Sequence, residues 1–282
     1  EDFEVGRLRF RRISSKPCLM PAIAQFIQFV HDSLAAYPAK TLVLLCGAVF
    51  IAGVARGFSG FGAALIFVPL ASALVGPKAA SPILLVIDVF SAAGLLPNAY
   101  RKADKKDVGA MSLGAMFAVP AGVALLVYIE PILVRWVISI TALLFLLLLV
   151  SGWRYRGRPS APLAAGVGVV AGVYSGAAQL GGPPVVAYWL GGMNAAEIVR
   201  ANIVLYFGIS SVFSAISYFY AGLLTSAVFV LGLICGPLYA TGLFIGARSF
   251  GLASEQTFRR ICYGLIGLAA LISLPLLDSF LR

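Results

Sequence analysis

The sequence predicts an all-α polytopic membrane protein, and three observations lead to this fold class. Of the 282 residues, 61% are hydrophobic and only 11% are charged, whereas soluble domains carry about 25% charged residues. Apolar runs long enough to cross a bilayer recur along the chain, for example at 108–129 and 132–152. The runs also lack the short alternating pattern of membrane β-strands. Helices are therefore the expected spanning elements.

Charge and cysteine content exclude several other classes. The formal net charge is +10, but the basic residues lie mostly between the apolar runs. That placement is typical of cytoplasmic loops and lipid-headgroup contacts, and no nucleic-acid partner is expected. The four cysteines show no CxxC spacing and His31 is the single histidine. We therefore expect no metal, no other cofactor and no disulfide framework.

The first 40 residues differ from the rest of the chain. Residues 1–16 form a charged, mostly basic arm, and 18–37 carry apolar residues at helical spacing with polar residues between them. We expect an amphipathic helix that lies on the membrane surface rather than crossing it.

The remaining chain divides into two related halves, 41–153 and 161–282, joined by a cytoplasmic linker at 154–160. At an offset of 119 residues, IAGVARGFSGFGAALIFVPL from Ile51 aligns with VAGVYSGAAQLGGPPVVAYW from Val170. The alignment pairs glycines 53, 57 and 62 with glycines 172, 176 and 181. Duplicated halves with interrupted apolar segments at matching positions indicate a secondary transporter, with its binding site where the interruptions meet.

Each half is predicted to contain one apolar segment broken by the glycine motif, followed by three transmembrane helices, giving about 8–10 helical elements in all. The broken pieces are 41–56, 62–76, 161–176 and 180–193. At about 1.5 Å per residue each piece spans only about 21–24 Å, so we expect re-entrant half-helices that meet near the midplane.

Loop charges predict that the two halves have inverted topology. The basic loop 101–107, the linker and the basic loop 248–260 are expected inside, and the uncharged turn 222–224 is expected outside. These assignments agree if each half crosses an odd number of times. The basic arm 1–16 conflicts with them, because it favours the inside where an inverted first half starts outside. Either the arm is periplasmic, or segment 18–37 crosses the membrane, so the side of the N-terminus stays open.

The broken segments predict where a solute binds. Backbone groups freed by a break survive in a membrane only inside the protein or beside a wet cavity. A helix that begins after a break directs free N–H groups and a favourable dipole at an anion. We expect Gly60, Gly62, Gly181 and Gly182 to offer such amides. The alternative for any one glycine is close helix packing.

Charged side chains within apolar runs are the second pointer to a site, because each is costly, about 2.5–3.5 kcal/mol. Arg56 adjoins the first break, and Arg200 opens the helix after the second. Two converging guanidiniums suit a sulfonate, sulfite, carboxylate or phosphate. The alternatives are a snorkelling side chain for Arg56 and a loop anchor for Arg200. Arg135 and Arg248 are interpreted as orientation anchors near helix ends.

Uncharged and acidic residues complete the candidate site. Asp88 could carry a coupling proton, or it could neutralise Arg56 as a structural pair. Ser59, Gln179 and Asn202 lie at or beside the breaks and could donate hydrogen bonds to oxyanion oxygens. The alternative for each of the three is a hydrogen bond between helices.

The chain resembles the TauE/SafE sulfite exporters, also called TSUP transporters, over about residues 41–281. The matching segments are RGFSGFGAALIFVPL (56–70), SGAAQLGGPPVVAYWLGG (175–192), VRANIVLYF (199–207) and GAR (246–248). The resemblance implies a bacterial inner-membrane protein that moves sulfite, sulfoacetate or related organosulfonates, driven by the proton-motive force. Ala177, Ala178 and Gln179 stand where this family has more glycine.

We therefore predict a secondary transporter that exports a small sulfur-containing anion by alternating access. The alternatives are an anion channel, or an importer of another small organic anion on the same fold. A membrane enzyme or a scaffold is disfavoured, because neither explains duplicated breaks with interior charges. The expected partners are the anion and membrane lipids, with a homodimer as an open alternative.

Overall fold

A computed structural model of the chain describes residues 28–30, 33–35, 37–59, 62–153, 155, 157, 160–191, 195–248 and 255–277. These residues are helical throughout, apart from turns and short connections, which confirms the all-α fold class. The basic arm 1–16 and most of the expected amphipathic helix 18–37 lie outside them. Only three residues of the linker 154–160 are described.

From residue 39 onward the described ranges contain eleven α-helices, one more than the upper end of the expected number. They are α1 (Ala39–Ser59), α2 (Ala63–Val75), α3 (Pro77–Ala92), α4 (Leu96–Lys102), α5 (Lys105–Tyr128), α6 (Pro131–Ser151), α7 (Ala161–Ala178), α8 (Gly182–Trp189), α9 (Ala196–Tyr220), α10 (Ser226–Arg248) and α11 (Glu255–Ser273). The extra helix arises because the expected helix 79–100 bends by 76° between α3 and α4. A short 3₁₀ turn, Ala93–Leu95, joins these two helices.

Six of these helices, α1, α5, α6, α7, α9 and α10, are long and apolar enough to cross a membrane, and α3 with α4 forms a seventh candidate span. Their outer faces carry large apolar side chains, such as Phe117 at 75% exposure and Leu147 at 64%. Such a surface suits lipid and not water. The described residues therefore form a polytopic membrane protein.

The first pieces of the two broken segments are longer than the sequence suggested. α1 has 21 residues and α7 has 18, which correspond to about 32 and 27 Å at 1.5 Å per residue. Only the second pieces are short, with 13 residues in α2 and 8 in α8. The expected helix ends at 56 and 176 are wrong because Gly57 and Gly176 lie within helices, where they serve packing.

Glycines bring two helix pairs into backbone contact, α1 with α10 and α5 with α7. A Cβ atom on Gly57 would lie 2.0 Å from the Leu243 carbonyl oxygen, and one on Gly176 would lie 2.1 Å from that of Val119. No side chain fits at such distances. Each pair joins a helix of one half to a helix of the other, so the halves interlock through their small residues.

The two broken segments end at opposite faces of the protein. α8 ends beside the start of α5, where the Trp189 indole donates to Asp107 at 2.5 Å. α2 ends just before Lys78, whose ammonium donates to the Val127 carbonyl at the other end of α5, at 2.8 Å. The length of α5 therefore separates the ends of the two segments.

Candidate functional site

A cavity of about 80 Å³ lies where the two breaks meet. This is several times the minimum of about 10–15 Å³ that a cavity needs to hold one water molecule. Six helices contribute to its wall. The lining residues are Arg56, Gly62, Ala63, Ala64, Leu65, Asp88, Ser175, Gln179, Leu180, Gly182, Pro183, Phe207, Ser210 and Ser211.

The first break directs a helix N-terminus at this cavity. α2 begins at Ala63 after Gly62, whose φ of 96° lies in the left-handed region that favours glycine. The first N–H groups of a helix have no partner within the helix, and no side chain of the described residues caps this end of α2. Gly62, Ala63 and Ala64 all line the cavity, so the positive end of the α2 dipole faces it.

The second break directs a shorter helix at the same space but supplies fewer donors. α8 begins at Gly182 with Gly181 as its N-cap and no side-chain cap among the described residues. Pro183 and Pro184 follow and have no N–H, so the amides of Gly181 and Gly182 remain. A Cβ atom on Gly182 would meet only the Phe207 ring, at 3.7 Å, so this backbone is open to a solute.

Arg56 and Asp88 form an ion pair in the cavity wall. The distance from Arg56 Nη1 to Asp88 Oδ2 is 2.6 Å, and both side chains are about a quarter exposed. The Tyr239 hydroxyl donates to Asp88 Oδ1 at 3.0 Å. This geometry agrees with the alternative in which Asp88 neutralises Arg56. The charges of these two residues, the charged side chains of the described wall, therefore cancel.

Gln179 holds the second break together. Its φ of 56° lies in the left-handed region, and among the residues that the structure describes it is the one non-glycine residue with such a backbone. Its amide nitrogen donates to the Ser175 carbonyl at 3.0 Å and to the Tyr218 hydroxyl at 3.3 Å, and Tyr218 in turn donates to the Gly176 carbonyl at 2.8 Å. Both amide hydrogens are thus engaged by the protein. The side chain fixes the turn, and its N–H groups do not face a solute.

The structure brings some of the predicted site residues together and leaves others apart. Arg56, Asp88, Gly62, Gln179 and Gly182 line the cavity. Gly181 lies directly behind it, where an added Cβ atom would be only 2.1 Å from Ser175 Oγ. Gly60 and the Ser59 side chain lie outside the described part of the chain.

Arg200 and Asn202 are not brought to the cavity. Arg200 is exposed on the first turns of α9, and the buried Asn202 accepts a hydrogen bond from the Asp104 backbone amide at 2.8 Å. Both lie near the start of α9, whereas the α9 residues that line the cavity, Phe207, Ser210 and Ser211, begin five residues beyond Asn202. They lie about 8–14 Å further along the helix axis. The convergence of two guanidiniums is therefore not seen.

The two arginines interpreted as anchors differ from each other. Arg248 is exposed, and its guanidinium lies 4.1 Å above the Phe244 ring. Arg135 is 7% exposed and donates to the Ser273 carbonyl at 3.1 Å, at the end of α11. Arg135 thus caps a helix C-terminus inside the protein, a favourable place for a cation.

Sequence reasoning did not name nine of the lining residues, among them Ser175, Phe207, Ser210 and Ser211, nor the Asp88 partner Tyr239. Ser175 stands within the second glycine motif, where a hydroxyl among glycines is a readable signal. The α9 residues required the register of that helix against the breaks, which no local pattern provides.

A cavity between two helix breaks, inside a helical polytopic membrane protein, defines the class of membrane transport proteins. Residues 45–273 match the sequence profile of the sulfite exporter TauE/SafE family. The chain belongs to this family and is a multi-pass protein of the bacterial inner membrane. The described residues contain no cluster of three or more His, Cys, Asp or Glu that could hold a metal ion.

A curated relative supports the same assignment. The chain is 28% identical over 261 residues to a protein of Cupriavidus necator described as a probable sulfite/organosulfonate exporter TauE. The alignment covers 86% of this chain and 98% of the relative. No solved structure matches the chain.

Proposed function

We propose that this protein is a secondary transporter that exports sulfite or small organosulfonate anions across the inner membrane, and that it is not an enzyme. The observation that carries the proposal is the cavity into which the N-termini of α2 and α8 open beside Arg56. The family and the name of the relative support an exported sulfur-containing anion.

The cavity can replace the hydrogen bonds that an anion loses when it leaves water. Backbone amides at Gly62, Ala63 and Gly182 lie at the positive ends of two helices. The hydroxyls of Ser175 and Ser210 add neutral donors. The apolar remainder of the wall lowers the local dielectric and thereby strengthens each of these interactions. A sulfonate or sulfite, with several oxygens on one centre, can use donors from both breaks at once.

The charge balance of the wall suits an anion that must be bound and then released. Arg56 is paired with Asp88, so the empty cavity is close to neutral and a bound anion is attracted mainly by dipoles and by a shared guanidinium. Protonation of Asp88 would free Arg56 for the anion. We therefore propose Asp88 as the site at which the proton gradient acts on anion binding.

The electrical part of the proton-motive force favours export by itself. Moving one negative charge out of an interior-negative cell yields about 2.3 kcal/mol per 100 mV, which is close to a fiftyfold concentration ratio. If the protein carries one net negative charge across the membrane with each anion, the membrane potential drives export without a fixed proton stoichiometry.

We propose that 41–153 and 161–282 are inverted repeats that move against each other to alternate access. The broken segments end at opposite faces of the protein, and each half supplies a glycine-rich partner to the other. In this arrangement α7 and α8 approach the cavity from the face of loop 101–107, and α1 and α2 from the other face.

Flux measured in proteoliposomes tests the proposal. Purified protein should release preloaded radiolabelled sulfite with saturable kinetics, faster when the exit side is made electrically positive. Competition by short sulfonates, but not by uncharged sulfones of the same size, is expected. Folded protein that gives no saturable flux with any of these anions would overturn the proposed function.

A further inference from the structure

A row of buried polar side chains runs along α9 at intervals of four residues. The row consists of Asn202, Tyr206, Ser210, Ser214 and Tyr218, and each member is at most 3% exposed. Residues four apart form a ridge on one side of a helix. Between them α9 presents apolar residues to lipid, such as Val212 and Ile216, each at least half exposed. Polar side chains within a membrane are energetically costly, so a polar ridge along a membrane helix indicates hydrogen bonds inside the protein or a functional role.

Bonding within the part of the protein that the structure describes leaves two donors in the first half of this row unused. Asn202 Nδ2 and the Tyr206 hydroxyl are fully buried and have no hydrogen-bond partner among the described residues. The Tyr206 hydroxyl faces the Ser210 side chain, one turn further on, but their geometry does not meet that of a normal hydrogen bond. Buried donors left in this way are generally satisfied by water or by a solute. Tyr218, at the far end of the row, is by contrast fully engaged with Gly176 and Gln179.

The two ends of this first half lie at informative places. Asn202 contacts the backbone of Asp104 in loop 101–107, the basic loop that the charge rule places in the cytoplasm. Ser210 lines the cavity. Eight residues separate Asn202 from Ser210, which is about 12 Å of helix. One intermediate donor, Tyr206, stands halfway.

An aromatic contact lies halfway along the first half of the row, at Tyr206. The Trp189 ring of α8 meets the Tyr206 ring edge-on, with centroids 6.0 Å apart. Trp189 is held there by Asp107, which also accepts from the Tyr188 hydroxyl at 3.1 Å. Since α8 begins at the cavity and ends at this contact, a movement of α8 away from α9 would open the row along its length.

We propose that Asn202, Tyr206 and Ser210 line the inner route along which water and the exported anion pass between the cytoplasmic face and the cavity. The buried groups of this route that have no partner in the described residues, Asn202 Nδ2 and the Tyr206 hydroxyl, can donate hydrogen bonds, which suits an anion. Loop 101–107, at its inner end, carries Arg101, Lys102, Lys105 and Lys106 against Asp104 and Asp107 and is therefore net positive. This inference rests on the proposed function for the identity of the anion, but the existence of the hydrated route does not depend on it.

Removal of one hydroxyl tests the role of the row. Tyr206→Phe deletes only the unpartnered oxygen. If that oxygen had no role in a dry core, the variant would transport normally. It would also be equally or more stable, because the substitution removes a buried polar group that has no hydrogen-bond partner. We expect unchanged or higher thermal stability together with a flux about fivefold to tenfold lower, the effect of one lost hydrogen bond on a barrier. Tyr220→Phe, at an 84% exposed tyrosine of the same helix, should transport normally. Normal flux in Tyr206→Phe would overturn the role of Tyr206.

Cysteine labelling tests the route without reference to any substrate. In a full-length chain whose four native cysteines are replaced by alanine, Ser210→Cys should react with a membrane-impermeant sulfonated maleimide applied from the face of loop 101–107. Val212→Cys, on the lipid-facing side of the same turn, should stay unlabelled. Labelling of Ser210→Cys only from the opposite face, or from neither face, would overturn the route. If the wild type shows no anion flux but Ser210→Cys is still labelled from the inner face, the proposed function is overturned and the hydrated route is not.

Discussion

Arg56 and Asp88, which are 32 residues apart in sequence, form an ion pair with 2.6 Å between Nη1 and Oδ2 in the wall of the cavity at the helix breaks. Tyr239 donates to the second carboxylate oxygen from the other half of the chain. One acid, one base and one hydroxyl thus join α1, α3 and α10 at the point where a solute would bind. Removal of one partner of a buried pair is normally damaging, but here the cavity itself can supply a new partner.

We expect Asp88→Asn to separate anion binding from its response to a proton gradient. Asparagine can still accept a hydrogen bond from Arg56 with its carbonyl oxygen, and its NH2 group can donate to the Tyr239 hydroxyl, so the variant should fold. It cannot titrate, and it no longer competes for the guanidinium charge. Sulfite should bind about tenfold more tightly at neutral pH, the worth of about one charge-assisted hydrogen bond. Proteoliposome flux should lose its dependence on an imposed pH gradient. Flux that follows the gradient as in the wild type would remove Asp88 from the coupling step.

Two substitutions at Gln179 should separate backbone strain from side-chain bonding. Both Gln179→Gly and Gln179→Ala remove the bonds to Ser175 and Tyr218. Only glycine adopts the left-handed backbone freely, and for other residues this conformation costs about 1–2 kcal/mol. Gln179→Gly should therefore unfold at a higher temperature than Gln179→Ala, with a stability difference of about 1 kcal/mol. Equal melting temperatures in the same detergent would mean that the turn at 179 relaxes in solution.

Packing glycines and open glycines of one helix should respond oppositely to alanine. Gly176→Ala places a Cβ about 2.1 Å from the Val119 carbonyl, so α5 and α7 must separate, at a cost of about 1–3 kcal/mol. Gly166→Ala on the same helix meets nothing within 4 Å and should be neutral or stabilising. Thermal unfolding of the two variants is the measurement. A Gly176→Ala protein as stable as the Gly166→Ala protein would contradict the α5–α7 contact.

Hydrophobic runs and the duplicated glycine motif were enough to predict the helical membrane fold and a cavity near two breaks. The exact break positions were not readable, because Gly57 and Gly62 look alike in sequence although one packs against Leu243 and the other turns the chain. Their difference depends on which neighbouring helix approaches, and that is a tertiary property.

Long-range partners limited the prediction of the site in the same way. Arg200 was expected at the second break because it follows that break closely in sequence. The intervening α8 instead returns toward loop 101–107, so α9 starts far from the cavity and reaches it only around Ser210. Ser210 and Tyr239 were missed because their importance arises from the helices that they face.

The most direct test of the anion site at the breaks is equilibrium binding of radiolabelled sulfite to purified protein, with two matched arginine variants. Wild-type protein and Arg200→Gln should bind saturably and equally, because Arg200 is exposed and does not line the cavity. Arg56→Gln should bind about tenfold to a hundredfold more weakly, since a charge-assisted hydrogen bond is worth about 1.5–3 kcal/mol. Unchanged binding by folded Arg56→Gln, or a loss confined to Arg200→Gln, would contradict the site.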